Sequence, residues 1–277
     1  MAHPQIAVFA RLADGNAQAT RRIEEQKTML ARTMHSIVYD AEHDEIVVPN
    51  AFSYAVLTFR GGADGEEAPI RVIQGPKAGL LFTDQLDVDP IHNEIYAPMR
   101  NENGVIHVFD WMANGNVAPI RILGWPDSGI SVTVDPEHNL LLASGRGGLG
   151  IFNRTDSGNA KPLRVITGGP KSGTMGPRSP VMIPATRMVV ATSRRFDAVA
   201  SVTTSNVQDP SEAQSFIGVW SIDDDGDLAP RWTVAHDILK EVRNLAIDPK
   251  NKTVMVAAKG LNAIMTLSFP EALEAAE

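Results

Sequence analysis

The sequence predicts an all-β fold made of one repeated four-stranded unit, and three observations predict it. Short runs of apolar and β-branched residues recur along the 277 residues, each bounded by turn residues, which is typical of strands. Asp-Gly or Asn-Gly pairs follow several of these runs, and such pairs supply the positive φ that tight hairpins need. The runs return every fifty residues or so, and four strands at about that period are typical of one blade of a β-propeller.

The first half of the unit is a strand, a glycine-containing turn and a second strand that begins with Pro and Arg. Its copies start at Ile6, Val56, Ile106, Leu149 and Ile217. We expect the turns to be hairpins on one face of the molecule, with positive φ at Gly15, Gly65 and Gly115.

The second half of the unit is a strand of the pattern Leu-Asp-Val-Asp-Pro, followed by His-Asn and another apolar run. Pro fixes φ and Asn tolerates the left-handed region, so the junction suits a tight turn. Copies of the Leu-Asp-Val-Asp-Pro strand are predicted at residues 36–40, 85–89, 131–135, 180–184 and 244–248, the fourth being degenerate. Five copies predict five blades.

The two ends of the chain carry incomplete units. The sequence begins with the last two strands of a unit, and residues 262–269 form one further strand after the last complete pair. We therefore expect strands from both termini to close the ring, which removes open sheet edges. One strand is then left over, so a sixth, irregular blade is the alternative to five. Residues 1–277 form one domain in this interpretation.

The repeat resembles those of NHL-type propellers, particularly bacterial ones, over nearly the whole chain. The third copy shows the likeness, with Ile106-His107-Val108-Phe109 followed by Gly115-Asn116 and Ala118-Pro119-Ile120-Arg121. The resemblance implies that the Leu-Asp-Val-Asp-Pro strands lie innermost, and that ligands bind around the axis where the loops into these strands meet the second-to-third-strand loops. It implies no particular activity, because such propellers include enzymes, scaffolds and binding modules.

Composition limits the classes of partner. The net charge is −8 and the isoelectric point is about 5.4, so the overall field does not favour nucleic acid. The sequence contains no run of eighteen apolar residues, so it predicts no membrane-spanning helix. The start lacks the pattern of a signal peptide, so we expect a cytoplasmic protein, although a secreted form with its signal removed would look the same. The absence of cysteine excludes disulfides and thiolate metal sites.

Cations collect in the loops assigned to the axial face, which we call the mouth. The loops between second and third strands open with Asn50, Arg100, Arg146, Arg194, Arg195 and Lys259. The loops into the inner strands add Arg178 and Arg243, with His35 and Asp84 at equivalent positions. Like charges repel, so this arrangement favours a function over bare stability. The alternative is that these cations pair with nearby acids such as Glu102, Asp197 or Glu241. The long segment 194–214 is also assigned to this face and is placed to cover the mouth.

We expect the mouth to bind an anionic small molecule or an acidic saccharide without a cofactor, because the planar fork of Arg holds two oxygens at once. One alternative is an enzyme, a lyase or hydrolase on an anionic substrate, in which His35 or Tyr54 moves the proton. Another is a scaffold for a protein partner.

Two other sets of polar residues are expected to be structural. His43, His92 and His138 fall at matching turns on the face away from the mouth, one in each of three blades, so we expect a repeated turn element and no metal site. Near the axis, Asp84, Asp87 and Asn244 are too few among the arginines to favour a metal. The recurrent outer-strand arginines, Arg22, Arg71, Arg121 and Arg164, are expected to pair with acids.

Overall fold

A computed structural model describes residues 4–32, 34–99, 104–125, 128–145, 147–195, 215–236, 239 and 242–273, with the backbone alone for residues 128–130, 271 and 272. In this part of the chain, no helix is long and apolar enough to cross a bilayer. The fold is an all-β propeller of five blades, as predicted.

Each blade is an antiparallel sheet whose strands pair in chain order from the inside outward. The N-terminal hairpin comprises β1 (Gln5–Val8) and β2 (Arg21–Glu24). Blade 1 comprises β3 (Val38–Asp40), β4 (Glu45–Asn50), β5 (Ala55–Arg60) and β6 (Arg71–Gln74). Blade 2 comprises β7 (Asp87–Asp89), β8 (Glu94–Met99), β9 (Val105–Asp110) and β10 (Arg121–Gly124).

The remaining blades follow the same order. Blade 3 comprises β11 (Ser128–Asp135), β12 (Leu140–Gly145), β13 (Gly148–Asn153) and β14 (Arg164–Thr167). Blade 4 comprises β15 (Arg178–Ile183), β16 (Met188–Arg194), β17 (Ser215–Ser221) and β19 (Trp232–Val234), and the short β18 (Gly226–Asp227) pairs with β14. Blade 5 comprises β20 (Val242–Asp248), β21 (Thr253–Ala258) and β22 (Ala263–Ser268), and the helical turn α1 (Pro270–Leu273) follows it.

The glycine turns have the predicted backbone geometry. Gly15, Gly65 and Gly115 have φ of 58°, 62° and 75°, in the left-handed region that glycine adopts readily. The second and third of these turns lie beside the outer strand of the preceding unit. Gly65 bridges to Ile23, and Gly115 bridges to Ile73. The turns therefore join neighbouring blades as well as neighbouring strands.

The inner strands are also joined directly across blades. The Asp87 carboxylate accepts a hydrogen bond from the backbone N–H of Val134 at 2.9 Å, and the Thr133 hydroxyl accepts one from Met182 at 3.3 Å. These bonds join β7 to β11 and β11 to β15. Because both depend on polar side chains of inner strands, the axis is held by specific contacts in addition to apolar packing.

The fourth inner strand departs from the prediction by one residue. It ends at Ile183, and Pro184 begins a short 3-10 turn, where the sequence predicted a strand through Pro184. A β-bulge between Arg178 and Val181 shifts the register, and Ser179 within it has a positive φ of 46°. Register shifts also interrupt β11 and β20, so this irregularity is shared by three of the inner strands.

The N-terminal hairpin forms a two-stranded sheet of its own beside blade 1, so among the described strands it does not extend blade 5 as expected. Ile6 and Ile23 of the hairpin pack with Phe59 of blade 1. Hydrogen bonds from Asn251 lower the pKa of Asp248 at the end of β20, and the nearby charge of Arg11 lowers it further. Among the described residues there are five inner strands and no sixth blade. In the same part of the chain, β22 pairs with β21, and its Ile264 is 71% exposed.

Candidate functional site

Arginines on the outer strands are paired with acids. Arg71 forms a salt bridge with Glu45, and Arg121 binds Glu94 through two bonds of 2.6 and 2.7 Å. Arg164 approaches Asp223 at 3.6 Å. Arg22 differs, because its described bond runs from the backbone N–H to Asp64. Paired outer arginines hold the blade edges and leave little charge for a ligand.

The three turn histidines each serve their own blade. The Nδ1 atoms of His43, His92 and His138 lie 2.5, 2.8 and 2.8 Å from the aspartate that ends the inner strand of the same blade. This repeated contact matches the expected turn element. In the described residues, no three His, Asp or Glu side chains form a group that could hold a metal ion.

The mouth contains a small polar cavity of about 110 Å³ at the axis. Five of the predicted site residues line it: His35, Asp84, Arg178, Arg194 and Arg243. They come from four blades, and the repeat brings them together because each precedes an inner strand or ends a second strand. The cavity is smaller than the 150 Å³ or so that holds a benzene ring, but it has room for about three or four waters. A carboxylate or a phosphate group fits this volume.

Two of the arginines are set by β-bulges at the start of inner strands. Arg178 begins the bulge of β15, and Arg243 lies in the bulge between Val242 and Asn244 of β20. Bulges often occur beside functional sites, where the extra residue redirects a side chain. The carbonyl oxygen of Arg243 accepts hydrogen bonds from Gln85 Nε2 at 2.7 Å and from Ser179 Oγ at 3.4 Å, which fixes its backbone.

The guanidinium groups of the cavity have no acidic partner among the described residues. In the described part of the chain, no carboxylate pairs with the side chain of Arg178, Arg194 or Arg243. Burial lowers the pKa of Arg178, and the neighbouring Arg194 charge lowers it further. The protein thus holds like charges together at the axis, at an electrostatic cost.

His35 and Asp84 form the other wall of the cavity. Nδ1 of His35 contacts Oδ1 of Asp84, which comes from the loop into the next inner strand. The His35 side chain is 23% exposed, so it is reachable from the mouth. A carboxylate at Nδ1 orients the ring, as in carboxylate–histidine pairs that transfer protons.

Four described site residues lie outside this cavity: Asn50, Tyr54, Lys259 and Arg195. The amide of Asn50 is fully buried and bonds to the backbone of Ala31 at 3.1 Å and Met29 at 2.7 Å. Its role is therefore structural, because both polar atoms are used. Tyr54, 52% exposed, follows a 3-10 turn on the mouth face, and Lys259 begins the corresponding turn of blade 5.

Arg195 borders a second, larger groove of about 670 Å³ over blade 4, together with Phe216 and Pro230. Ser215 lines both this groove and the axial cavity. Arg100, Arg146 and most of the segment 194–214 lie outside the described residues, so their predicted places at the mouth remain predictions.

Small polar residues also line the cavity, and the sequence did not predict them. Gln85 and Ser179 lie near the start of inner strands, and Thr192, Ser193 and Ser215 come from the second and third strands of blade 4. For Gln85 the repeat contains a signal, since Ser36, Gln85, Ser131 and Asn244 occupy one aligned position before or at the start of the inner strands. A polar residue recurring beside apolar strands at the axis indicates a polar mouth independently of the arginines.

The chain resembles several solved propellers in fold. It matches the hydrazine synthase of Kuenenia stuttgartiensis at a TM-score of 0.60 and 15% identity, covering 92% of this chain and 69% of that one. The Cps50 (Swd1) propeller domain of Myceliophthora thermophila matches at 0.57 and 9%, covering 85% and 65%. A Bacteroides uniformis protein with a proposed 6-phosphogluconolactonase activity matches at 0.56 and 16%, covering 90% and 69%.

These similarities concern the fold alone, because all three identities are low. No family model and no curated protein matches the sequence, so membership of the NHL family is not confirmed. The blade topology and the structural neighbours agree that the chain folds as a β-propeller, and the described residues form five blades.

Proposed function

We propose that the axial cavity binds a small anion or the anionic group of a larger ligand. The observation that carries the proposal is the contrast between two sets of arginines. Arg71 and Arg121 on outer strands pair with glutamates, whereas the guanidiniums of Arg178, Arg194 and Arg243 meet at the cavity without a carboxylate partner in the described residues. Several donors converging on one anion in a sheltered site bind far better than one exposed pair.

The net negative charge of the protein does not oppose this function. Charges beyond a Debye length of roughly 8 Å are largely screened at physiological ionic strength, so the local field at the cavity is set by its own lining, in which three arginines outnumber Asp84. The cavity volume of about 110 Å³ suits a carboxylate or a phosphate. A sugar ring is too large for it, so an acidic saccharide would place only its carboxylate inside.

Calorimetric titration with phosphate, citrate and glucuronate tests the proposal. The wild type is compared with an Arg178→Gln, Arg194→Gln double variant, and Arg187→Gln serves as control because Arg187 pairs with Asp223 at 2.9 Å away from the mouth. We expect binding that weakens as salt rises, a loss of tenfold or more in the double variant, and no change in the control. Equal affinities in all three proteins, or no binding at low salt, would remove the proposal. An Arg100→Ala, Arg146→Ala variant tests the two predicted residues outside the described chain.

A second function, catalysis on an anionic substrate, is favoured by the His35–Asp84 pair. An oriented imidazole beside cationic groups is suited to remove a proton while Arg neutralises the substrate carboxylate. Oligouronate is the substrate to try, and ultraviolet absorbance reports an unsaturated product. A lyase would lose turnover in His35→Gln and keep its affinity for phosphate, whereas a binding protein would show no turnover in either form.

A further inference from the structure

An apolar patch lies on the mouth face beside the cavity. It consists of Phe52, Leu81 and Phe82, the first in the 3-10 turn between β4 and β5 and the other two in the loop into β7. Phe52 is 59% exposed and Leu81 is 45% exposed. The rings of Phe52 and Phe82 meet edge to face, with centroids 5.4 Å apart. Large apolar side chains grouped in this way on a surface commonly mark an interaction site.

The patch and the cavity adjoin each other at His35. The imidazole of His35 lines the cavity, and its centroid is 6.4 Å from that of Phe82. The patch lies on blades 1 and 2, and the guanidiniums of Arg178, Arg194 and Arg243 come from blades 4 and 5. The mouth thus has an apolar half and a cationic half, with His35 and Asp84 between them.

The shapes of the two halves favour a protein segment over a free small molecule. The cavity has room for a carboxylate but not for a ring. The patch is exposed, and a small ligand resting on an exposed surface buries too little of itself to bind well. A chain segment gains from both halves because binding of one side chain brings the other into place. Apolar anchors beside a charged contact are also typical of protein interfaces.

We propose that the mouth recognises a segment of a partner protein in which an acidic side chain lies close to a large apolar one. The carboxylate occupies the cavity among the arginines, and the apolar side chain packs on Phe52 and Phe82. An extended segment advances about 3.4 Å per residue, so the two anchors lie within roughly four residues of each other. This inference rests on the proposed anion binding, and it specifies the source of the anion.

Selection from a random peptide library displayed on phage tests the inference, because it requires no identified partner. The wild type is expected to enrich peptides with Asp or Glu within roughly four positions of Phe, Trp, Leu or Met. A synthetic peptide of the selected sequence is then measured by fluorescence anisotropy. We expect the double variants Phe52→Ala, Leu81→Ala and Arg178→Gln, Arg194→Gln each to weaken its binding tenfold or more. The control is Ile120→Ala, which removes an exposed apolar side chain of blade 2 from outside the patch.

Phosphate titration separates this inference from the proposed function. Phe52→Ala, Leu81→Ala should bind phosphate as the wild type does, because the patch does not line the cavity. If phosphate binds through the arginines but selection gives no acidic-apolar consensus, the inference is wrong and anion binding stands. The inference is also wrong if the selected peptide binds Phe52→Ala, Leu81→Ala as tightly as the wild type. If phosphate and the selected peptides both bind Arg178→Gln, Arg194→Gln as tightly as the wild type, the proposed anion binding is wrong as well.

Discussion

His35 and Asp84 come from the loops that lead into two successive inner strands, and their side chains meet at the wall of the axial cavity. The pair places one acid beside a group of arginines. Among the described residues that line the cavity, Asp84 carries the carboxylate. Its negative charge partly offsets the positive field of the arginines that an anion would meet. Its removal has a predictable effect on binding.

We predict that Asp84→Asn strengthens the binding of phosphate. At an effective dielectric constant of about 20, a unit charge about 8 Å from the anion contributes about 2 kcal/mol, which is roughly 30-fold in affinity. Calorimetry at low salt measures the change. Asp223→Asn is the control, because Asp223 lies away from the mouth beside Arg187. The difference should shrink as ionic strength rises, and weaker binding in Asp84→Asn would show that Asp84 is not a repulsive neighbour of the anion.

We predict that Glu94→Ala is among the most destabilising substitutions in blade 2. Glu94 is buried and accepts bonds from Arg121, from Arg154 at 2.6 Å and from the Tyr96 hydroxyl at 2.5 Å. Its removal leaves Arg121 without its acid and leaves Arg154 with only the 3.5 Å contact to Asp89, at a cost of about 3–5 kcal/mol. Denaturant unfolding measures it. Glu67→Ala, which breaks an exposed pair with Arg60, should cost about 0.5 kcal/mol or less.

The same glutamate should make stability depend on acid. Burial alone would raise the pKa of Glu94, but hydrogen bonds from Arg121 and Tyr96 outweigh it and hold the pKa below the ordinary 4.5. The unfolded state then binds a proton first as pH falls. The stabilisation by Glu94 is therefore complete above about pH 4.5 and is lost below it. Glu94→Ala should lose less stability below about pH 4.5 than the wild type does. Identical dependence of the free energy of unfolding on pH in the two proteins would contradict a lowered pKa for Glu94.

Asp87 should titrate in the opposite direction. Burial raises its pKa to about 6 from the ordinary 3.8, despite hydrogen bonds from the backbone N–H groups of Val134 and Val88. The folded state therefore holds the proton more tightly, and the contribution of Asp87 to stability falls as pH rises from about 3.8 to about 6. Carbon NMR of protein labelled at aspartate carboxyls measures the pKa of Asp87 and that of Asp248, which we expect to lie below the ordinary value. An ordinary pKa for Asp87 would contradict the burial at the β7–β11 contact.

The repeat explains how much of the fold was predictable. Positive φ at Gly65 and Gly115 follows from turn chemistry within one unit, so each copy supported the next. Five inner strands followed from the same periodicity. The register of β15 did not, because a bulge at Ser179 adds a residue that the alignment of copies cannot place. The packing of the N-terminal hairpin against Phe59 of blade 1 also depends on contacts far apart in sequence.

The candidate site was predictable to the level of loops but not of side chains. Position in the repeat assigned Arg178, Arg194 and Arg243 to one face, and the structure brings them to one cavity. Arg194 and Asn50 both end second strands, so position in the repeat predicted the same role for both. The buried bonds of Asn50 to Met29 and Ala31 depend on how the preceding loop folds, which the repeat does not encode. The apolar patch could not be predicted either, because Phe52 and Phe82 come from loops of different blades.

A crystal structure of the protein soaked with phosphate tests anion binding at the axis without any substitution. We expect one anion there, within hydrogen-bond distance of the guanidiniums of Arg178, Arg194 and Arg243, with Asp84 still held by His35. An axial cavity without an anion, with these arginines paired to carboxylates of the chain itself, would contradict it.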